Sequence, residues 1–310
     1  MGEPTGSTDS KARSGLLYGL AAYGWWGLMP LYFELVSAAP PKELLAHRII
    51  WSALLLFLIL TLFRRWPEFF RSIRTPRTLR LLALSAALIA LNWYVYIYSV
   101  LAGQQIQGSL GYFILPLVNV AIGITFFHER LRPMQGVAIL LAAAGVIYQI
   151  VDLGVFPWIA LTLAFSFCLY GVARKQAPVD AVIGLSIETI LLAPIALGFV
   201  LWWWLAEGTL AFGRLGARVD SLLILSGVVT TVPLLCFAQA VQRLRLITVG
   251  FLQYISPSIQ LIIAIFHAGE PFTPTHRVSF TLIWAALALF VVDALRANQK
   301  RIEYEPREPL

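Results

Sequence analysis

Three ionisable side chains stand inside long apolar runs: His47 and Arg48 share one run, and Glu188 lies in another. A charge at membrane depth costs at least about 2.5 kcal/mol, so such residues pair with one another or meet a solute, an ion or water. Arg48 carries a planar fork that matches a carboxylate, whether on a solute or on the protein. Glu34, near the end of the preceding run, is the protein carboxylate expected at similar depth. Glu188 has no evident neighbour beyond Arg174 and Lys175, which makes it a candidate proton site. His47 is a second titratable candidate, with a hydrogen-bonded structural role as its alternative.

Uncharged polar residues fall on helical stripes. Asn92, Tyr96, Ser99 and Gly103 follow i, i+4, i+7, i+11, and Gln253, Pro257, Gln260 and His267 repeat that pattern. Ser109, Tyr112, Pro116, Asn119 and Gly123 form a third line. Such stripes either line a cavity or pack helices together, as small and polar residues do in membranes. Trp25, Trp26, Trp93, Tyr96, Tyr112 and Tyr254 are aromatic candidates for the same cavity, because their rings stack on apolar solutes and on cations. Pro116 and Pro257 each remove a helical hydrogen bond and are hinge candidates. The substrate-cavity set is thus Trp25, Trp26, His47, Arg48, Asn92, Trp93, Tyr96, Tyr112, Asn119, Glu188, Gln253, Tyr254 and Gln260.

The elements that must position these residues follow from composition. Hydrophobic residues make up 59% of the 310 positions, charged residues 13%, and mean hydropathy is +0.78. That balance belongs to lipid rather than to a soluble domain, and it leaves no room for a separate catalytic or ATP-binding domain. A bilayer core of about 30 Å needs about 20 apolar residues per helical span. Apolar runs divide into ten spans, near 15–37, 43–63, 78–101, 108–127, 133–151, 157–175, 181–205, 220–240, 248–267 and 274–296. The first run is too long for the core of a signal peptide and reads as a permanent span.

With both termini cytoplasmic, all but five of the 23 Lys and Arg residues face the cytoplasm; the five are Lys42, Arg48, Arg214, Arg218 and Arg277. The basic residues form no continuous patch, so the net charge of +7 does not indicate nucleic acid. The stretch from Arg64 to Arg80, with Trp66, Phe69 and Phe70, reads as an interfacial element on anionic headgroups. Trp202, Trp203 and Trp204 suit an aromatic belt. Cys168 and Cys236 are single residues in apolar runs and read as packing; no metal site and no cofactor is expected.

Pro116, Glu129 and Pro133 recur as Pro257, Glu270 and Pro274 at an offset of 141 residues, which also carries Asn119 onto Gln260 and His47 onto Glu188. The offset maps the second span on the seventh and the fourth on the ninth. Five spans per half is an odd number, so the second half enters the membrane from the opposite side. The expected fold is therefore all-α integral membrane, about ten transmembrane helices in two inverted five-helix repeats around a central cavity. Residues 1–14 and 297–310 form cytoplasmic tails, and 15–151 and 157–296 form the repeats. This is the architecture of many secondary carriers.

Ala46-His47-Arg48-Ile49-Ile50-Trp51, Leu91-Asn92-Trp93-Tyr94, Gly111-Tyr112-Phe113-Ile114 and Phe251-Leu252-Gln253-Tyr254-Ile255 resemble the RarD-like branch of the EamA-type drug/metabolite transporter superfamily. Glu129-Arg130-Leu131 is similar to the acidic motif that closes the fourth span in EamA proteins, and Gly269-Glu270-Pro271 to its second copy. The resemblance spans nearly all ten runs. It implies a bacterial inner-membrane permease or exporter that moves a small metabolite or drug by alternating access, with the solute and membrane lipids as its partners. An amino-acid exporter, or a facilitator or exchanger without proton coupling, is the alternative within that class. A membrane enzyme is the competing class; no Walker loop, zincin histidine pair or nucleophile elbow is present to support it. Substrate, coupling ion, direction and oligomeric state are not encoded in any motif here.

Overall fold

In hydrocarbon a segment must satisfy its own backbone, and the helix does so without partners. The computed structural model describes residues 6–102, 104–267, 269 and 273–304, and among these it holds helices and no strand. In chain order they are α1 (Gly6–Gly27), α2 (Met29–Leu35), α3 (Pro41–Leu62), α4 (Trp66–Ile73), α5 (Pro76–Leu101), α6 (Gln105–Phe127), α7 (Pro133–Leu153), α8 (Trp158–Gln176), α9 (Ala181–Glu207), α10 (Ala217–Arg243), α11 (Leu246–Gln253), α12 (Ile255–Phe266) and α13 (Pro274–Tyr304). Helix boundaries are set by ordinary punctuation. Pro41 and Pro133 open α3 and α7, the Asp180 side chain accepts from Ile183 N at the start of α9, and Gly154 and Gly208 close α7 and α9 in the left-handed conformation.

Among the described residues, eight segments are long and apolar enough to cross a membrane: α3, α5, α6, α7, α9, α10, α11 with α12, and α13. Of the ten expected runs, those of α1 and α8 fall short. Much of α8, from Ile159 to Arg174, is buried against α5, α6 and α10, so it needs less apolar surface than a lipid-facing helix. The expected tails also differ in form: α1 already begins at Gly6 and α13 runs on to Tyr304, because extending a nucleated helix adds one hydrogen bond for each residue ordered.

Two expected continuous spans are broken. The run 15–37 is interrupted at Leu28, between α1 and α2, and the run 248–267 at Tyr254, between α11 and α12. Pro30 and Pro257 lie just beyond these breaks and cannot donate to the carbonyls of Trp26 and Gln253. Pro116, in contrast, sits within an unbroken α6.

Helix α1 packs on α10 as α8 packs on α5, and α12 packs on α1 as α6 packs on α8. Helices α3 and α9, α6 and α11, and α7 and α13 meet directly. Gly15 lies against Leu244 and Asp293 pairs with Arg132, so the start of α1 and the end of α13 share one end of the bundle. We call this the terminal side and its opposite the distal side.

The Arg64–Arg80 stretch forms α4 and the start of α5. Trp66 packs on Phe69 and Phe70 at 5.4 and 5.8 Å, and Arg65 ties Glu68 to Asp180. A hydrogen bond from Arg65 holds the Glu68 carboxyl below the usual range. Its folded pKa is depressed, so this tie is present above the unfolded value of about 4.3 and is lost as pH falls below it. At the distal end of α9, Trp202 and Trp204 point outward, while Trp203 packs on Phe199.

Close helix crossings use glycine. A Cβ on Gly227 would stand 2.6 Å from the Trp51 backbone, where α10 crosses α3, and one on Gly250 would stand 2.7 Å from the Pro116 carbonyl, where α11 crosses α6. Gly198 on α9 faces open space. We expect Gly227→Ala to lower the melting temperature of detergent-solubilised protein by several degrees, corresponding to about 1–3 kcal/mol of overpacking. Gly198→Ala should leave it unchanged or raise it. Equal melting of the two variants would refute the close crossing.

Candidate functional site

A cavity of about 280 Å³ lies between mid-depth and the distal side. Its wall is built by α1 and α2 (Tyr23, Trp26, Met29, Pro30, Phe33), α3 (Arg48), α5 (Asn92, Trp93, Tyr96), α6 (Ser109, Tyr112, Leu115), α8 (Phe167), α10 (Thr230, Leu234), and α11 and α12 (Gln253, Ser256, Pro257, Gln260). Arg48 is the one charged residue among them. Its Nε donates to Thr230 Oγ1 at 2.8 Å, and its guanidinium lies 5.2 Å from the centre of the Trp93 ring. Among the described residues no carboxylate pairs with it.

Asn92 donates to Leu163 O and Ser166 Oγ at 2.9 and 3.0 Å, fixing α5 to α8 while it borders the cavity. At the floor, Asn119 Nδ2 donates to Gln253 Oε1 and Cys168 Sγ donates to Asn119 Oδ1. This network uses the Gln253 oxygen, and its Nε2 lies buried beside the Tyr23 hydroxyl, each the other's polar neighbour. Both residues border the cavity.

Aromatic rings close the terminal side of the cavity. Tyr170 stacks on Phe237 at 5.8 Å, Phe167 meets Phe237 at 5.1 Å, and Trp26 meets Phe167 at 5.6 Å. Below them the terminal side is tied by polar contacts. Glu129 accepts from the backbone N–H groups of Leu246 and Ile247 at 2.7 and 3.0 Å, which caps α11 from the end of α6. Lys175 donates to the carbonyls of Val241 and Leu244, and Gln242 to that of Val179. On the distal side, Glu34 pairs with His267 at 2.9 Å and Thr275 bonds Asp152 at 2.9 Å, all exposed.

The cavity therefore brings together Trp26, Arg48, Asn92, Trp93, Tyr96, Tyr112, Gln253 and Gln260 from the sequence-derived set, with Pro257 on the same wall. Asn119 lies beneath it. Four members lie elsewhere. Trp25 is on the outer face of α1, and Tyr254 is buried with its hydroxyl donating to Phe113 O at 3.4 Å. His47 accepts from Trp51 Nε1 and faces Glu43 and Phe212, away from the cavity.

Glu188 sits between α5, α8 and α9. It accepts from Ser85 and from the Tyr170 hydroxyl and lies 3.5 Å from Arg174, which is fully buried across Gly184. The Arg174 contact is an ion pair without hydrogen-bond geometry. The expected pairing of Glu34 with Arg48 does not form, because Glu34 is drawn to His267 at the distal rim. Glu270, Pro271 and Gly103 lie outside the described residues.

Sequence reasoning passed over Glu43, whose carboxylate accepts from Ala211 N and Phe212 N at 2.9 Å and holds the loop between α9 and α10. Its signal was an acid in the first turn of a helix, four residues before His47. Tyr23, Phe167, Thr230 and Leu234 were also passed over; they are isolated in apolar runs and carry no stripe of their own.

A polytopic helical membrane protein with an aromatic, singly charged internal cavity is the class that fold and site define. The sequence profile of the EamA-like transporter family matches residues 13–150. Protein RarD of Salmonella typhi is 43% identical over 294 residues, covering 94% of this chain and all of that protein. An uncharacterized transporter of Vibrio cholerae is 42% identical over 288 residues, covering 93% and 95% of the two chains. A solved crystal structure with 18% identity superposes with a TM-score of 0.66 over 92% of this chain and 99% of the other, which shows the shared fold. The chain belongs to the EamA-like transporter family, among its RarD-type members.

The Glu188 cluster generates a test. Glu188→Gln retains a hydrogen-bonding side chain but leaves Arg174 without its anion. Stability is then expected to fall by about 3–5 kcal/mol. Adding Arg174→Met should recover most of the loss, and thermal melts of the three proteins measure it. A single variant as stable as the parent would remove the ion pair from the account of this fold.

Proposed function

We propose that the chain is a secondary carrier that moves a small solute by alternating access through this cavity. In this reading α1 with α2, α3, α5, α6 and α7 form one half, and α8, α9, α10, α11 with α12, and α13 the other, ten spans in two inverted repeats. The observation that carries the reading is the exchange symmetry of the packing. Swapping the halves turns α1 on α10 into α8 on α5 and α6 on α8 into α12 on α1, and it turns α3–α9, α6–α11 and α7–α13 into themselves. A site on such an axis can open to either side in turn.

Charge asymmetry and the bacterial relatives support an inner-membrane location with the terminal side cytoplasmic. The cavity then faces outward in this structure. Closing it distally and opening it terminally requires release of the Glu129 cap and of the ties made by Lys175 and Gln242. The breaks at Leu28 and Tyr254, with Pro116 and Pro257, supply bending points. Glu188 is paired and lies off the cavity wall, so this reading assigns it no proton-coupling step and favours a facilitator or exchanger.

The test uses single cysteines in a Cys168→Ser, Cys236→Ser background and a membrane-impermeant maleimide. Ser109→Cys should label from outside intact cells, and Val249→Cys, buried beneath the Glu129 cap, slowly and only in inverted vesicles. Adding Glu129→Gln should raise Val249→Cys labelling about tenfold and lower Ser109→Cys labelling, as a two-state population shift requires. Both rates rising together, or neither changing, would overturn alternating access.

A further inference from the structure

Arg48 differs from the other deeply buried cation of this fold. Arg174 has Glu188 within 3.5 Å, while the guanidinium of Arg48 has only the Thr230 hydroxyl and the Trp93 face among the described residues. Its Nε is occupied, and its two terminal nitrogens make no hydrogen bond to the described residues. An unpaired cation inside a bilayer protein is costly. Its donors border a cavity with no carboxylate among its described lining residues, so the matching anion comes from outside. A guanidinium fork accepts a carboxylate with two parallel hydrogen bonds. With no acid among the described lining residues, a solute ammonium meets, apart from Arg48, only neutral groups: ring faces, the hydroxyls of Ser109, Tyr96 and Tyr112, and the amides of Asn92 and Gln260.

We propose that the cavity binds small organic monoanions, a single carboxylate on an aromatic or apolar body, with the carboxylate on Arg48 and the body among Trp93, Tyr96 and Tyr112. The assignment deepens the carrier reading and rests on it only for the step from binding to movement.

Binding is measured by calorimetry on purified protein with four compounds that share one ring: indole-3-acetate, tryptophan, tryptamine and indole. Phenylacetate serves as a second acid. Indole-3-acetate is expected to bind at least tenfold more tightly than tryptamine and indole, with tryptophan weaker than the plain acid. Arg48→Gln should weaken the acid by at least about 30-fold, and Arg48→Lys by about tenfold through loss of the fork, while indole changes less than about threefold. Arg48→Gln removes an uncompensated charge, so its melting temperature should equal or exceed that of the parent; Thr230→Val, which keeps the charge, is the second variant and should weaken the acid modestly.

Tryptamine or indole binding as tightly as the acid, acid binding untouched by Arg48→Gln, or no binding of either acid at 10 mM each overturns the proposal. Counterflow in proteoliposomes separates the two readings. Arg48-dependent binding without counterflow leaves the anion site and removes the carrier. Counterflow of a neutral or cationic solute that ignores Arg48→Gln leaves the carrier and removes the anion site.

Discussion

Hydrocarbon supplies no hydrogen bonds, so each polar group drawn into this bundle needs a partner from the protein or from what the protein encloses. The fold meets that demand at many points. Pro30 has no N–H for the Trp26 carbonyl, and Gln260 Nε2 from α12 donates to it at 3.1 Å. Glu43 and Glu129 each accept from two backbone N–H groups that have no helical partner, and Lys175 serves two carbonyls at the end of α10. Unpartnered hydroxyls also occur singly, at Thr231 and Ser279. At the cavity one group stands out: the terminal nitrogens of Arg48 border the enclosed space and make no hydrogen bond to the described residues. In a bundle that satisfies so many of its polar groups, a cation left to the cavity is the feature on which the proposed solute site rests.

The same demand joins the two broken helices. Ser256 donates to the Tyr23 carbonyl at 2.7 Å beside the Gln260 bond, and Gly27 lets Ile259 approach, so α12 is fastened to the α1–α2 junction. A shift of α12 is therefore transmitted to α2 at the cost of only a few hydrogen bonds, each worth about 1 kcal/mol net. The closures of the two sides are unequal. The distal Glu34–His267 pair is exposed and contributes little, whereas the Glu129 cap is half-buried and made to backbone N–H groups at a helix start. That inequality matches a cavity lying toward the distal side.

Periodicity made the wall legible where polar residues repeat at helical spacing. Asn92 with Tyr96, and Gln253 with Pro257 and Gln260, reach the cavity because residues four apart share a face. It could not reveal partners from distant helices. The i, i+4 relation of His47 to Trp51 and the loop at Phe212 turn His47 away from a cavity that its neighbour Arg48 enters, since adjacent residues point about 100° apart on a helix. Glu34 and Arg48 were matched on depth alone, but depth says nothing of azimuth, and His267 occupies the same rim as Glu34. The breaks at Leu28 and Tyr254 leave no mark in hydropathy, which averages over them. The hydrophobic signal was weakest for α8, which other helices largely enclose and which ends on Arg174 and Lys175, and for α1, whose exposed leucines are interspersed with glycine, tyrosine and tryptophan.

Electrostatics links the reserved cation to the transport cycle. In the proposed alternating access the cavity passes through a state shielded from water on both faces, and an unpaired Arg48 is least tolerable there. On the proposed anion site, an entering carboxylate would neutralise it, so the loaded cavity would cross as a neutral object while the empty one would carry its charge through the low-dielectric intermediate. The loaded transition is then the faster of the two. A carrier built in this way exchanges solute across the membrane more readily than it returns empty, and it does so without a titrating carboxyl. The Glu188–Arg174 pair is consistent with that economy, because it is neutral as a pair, contributes no charge to the cavity, and lies behind Tyr170 at the junction of α5, α8 and α9.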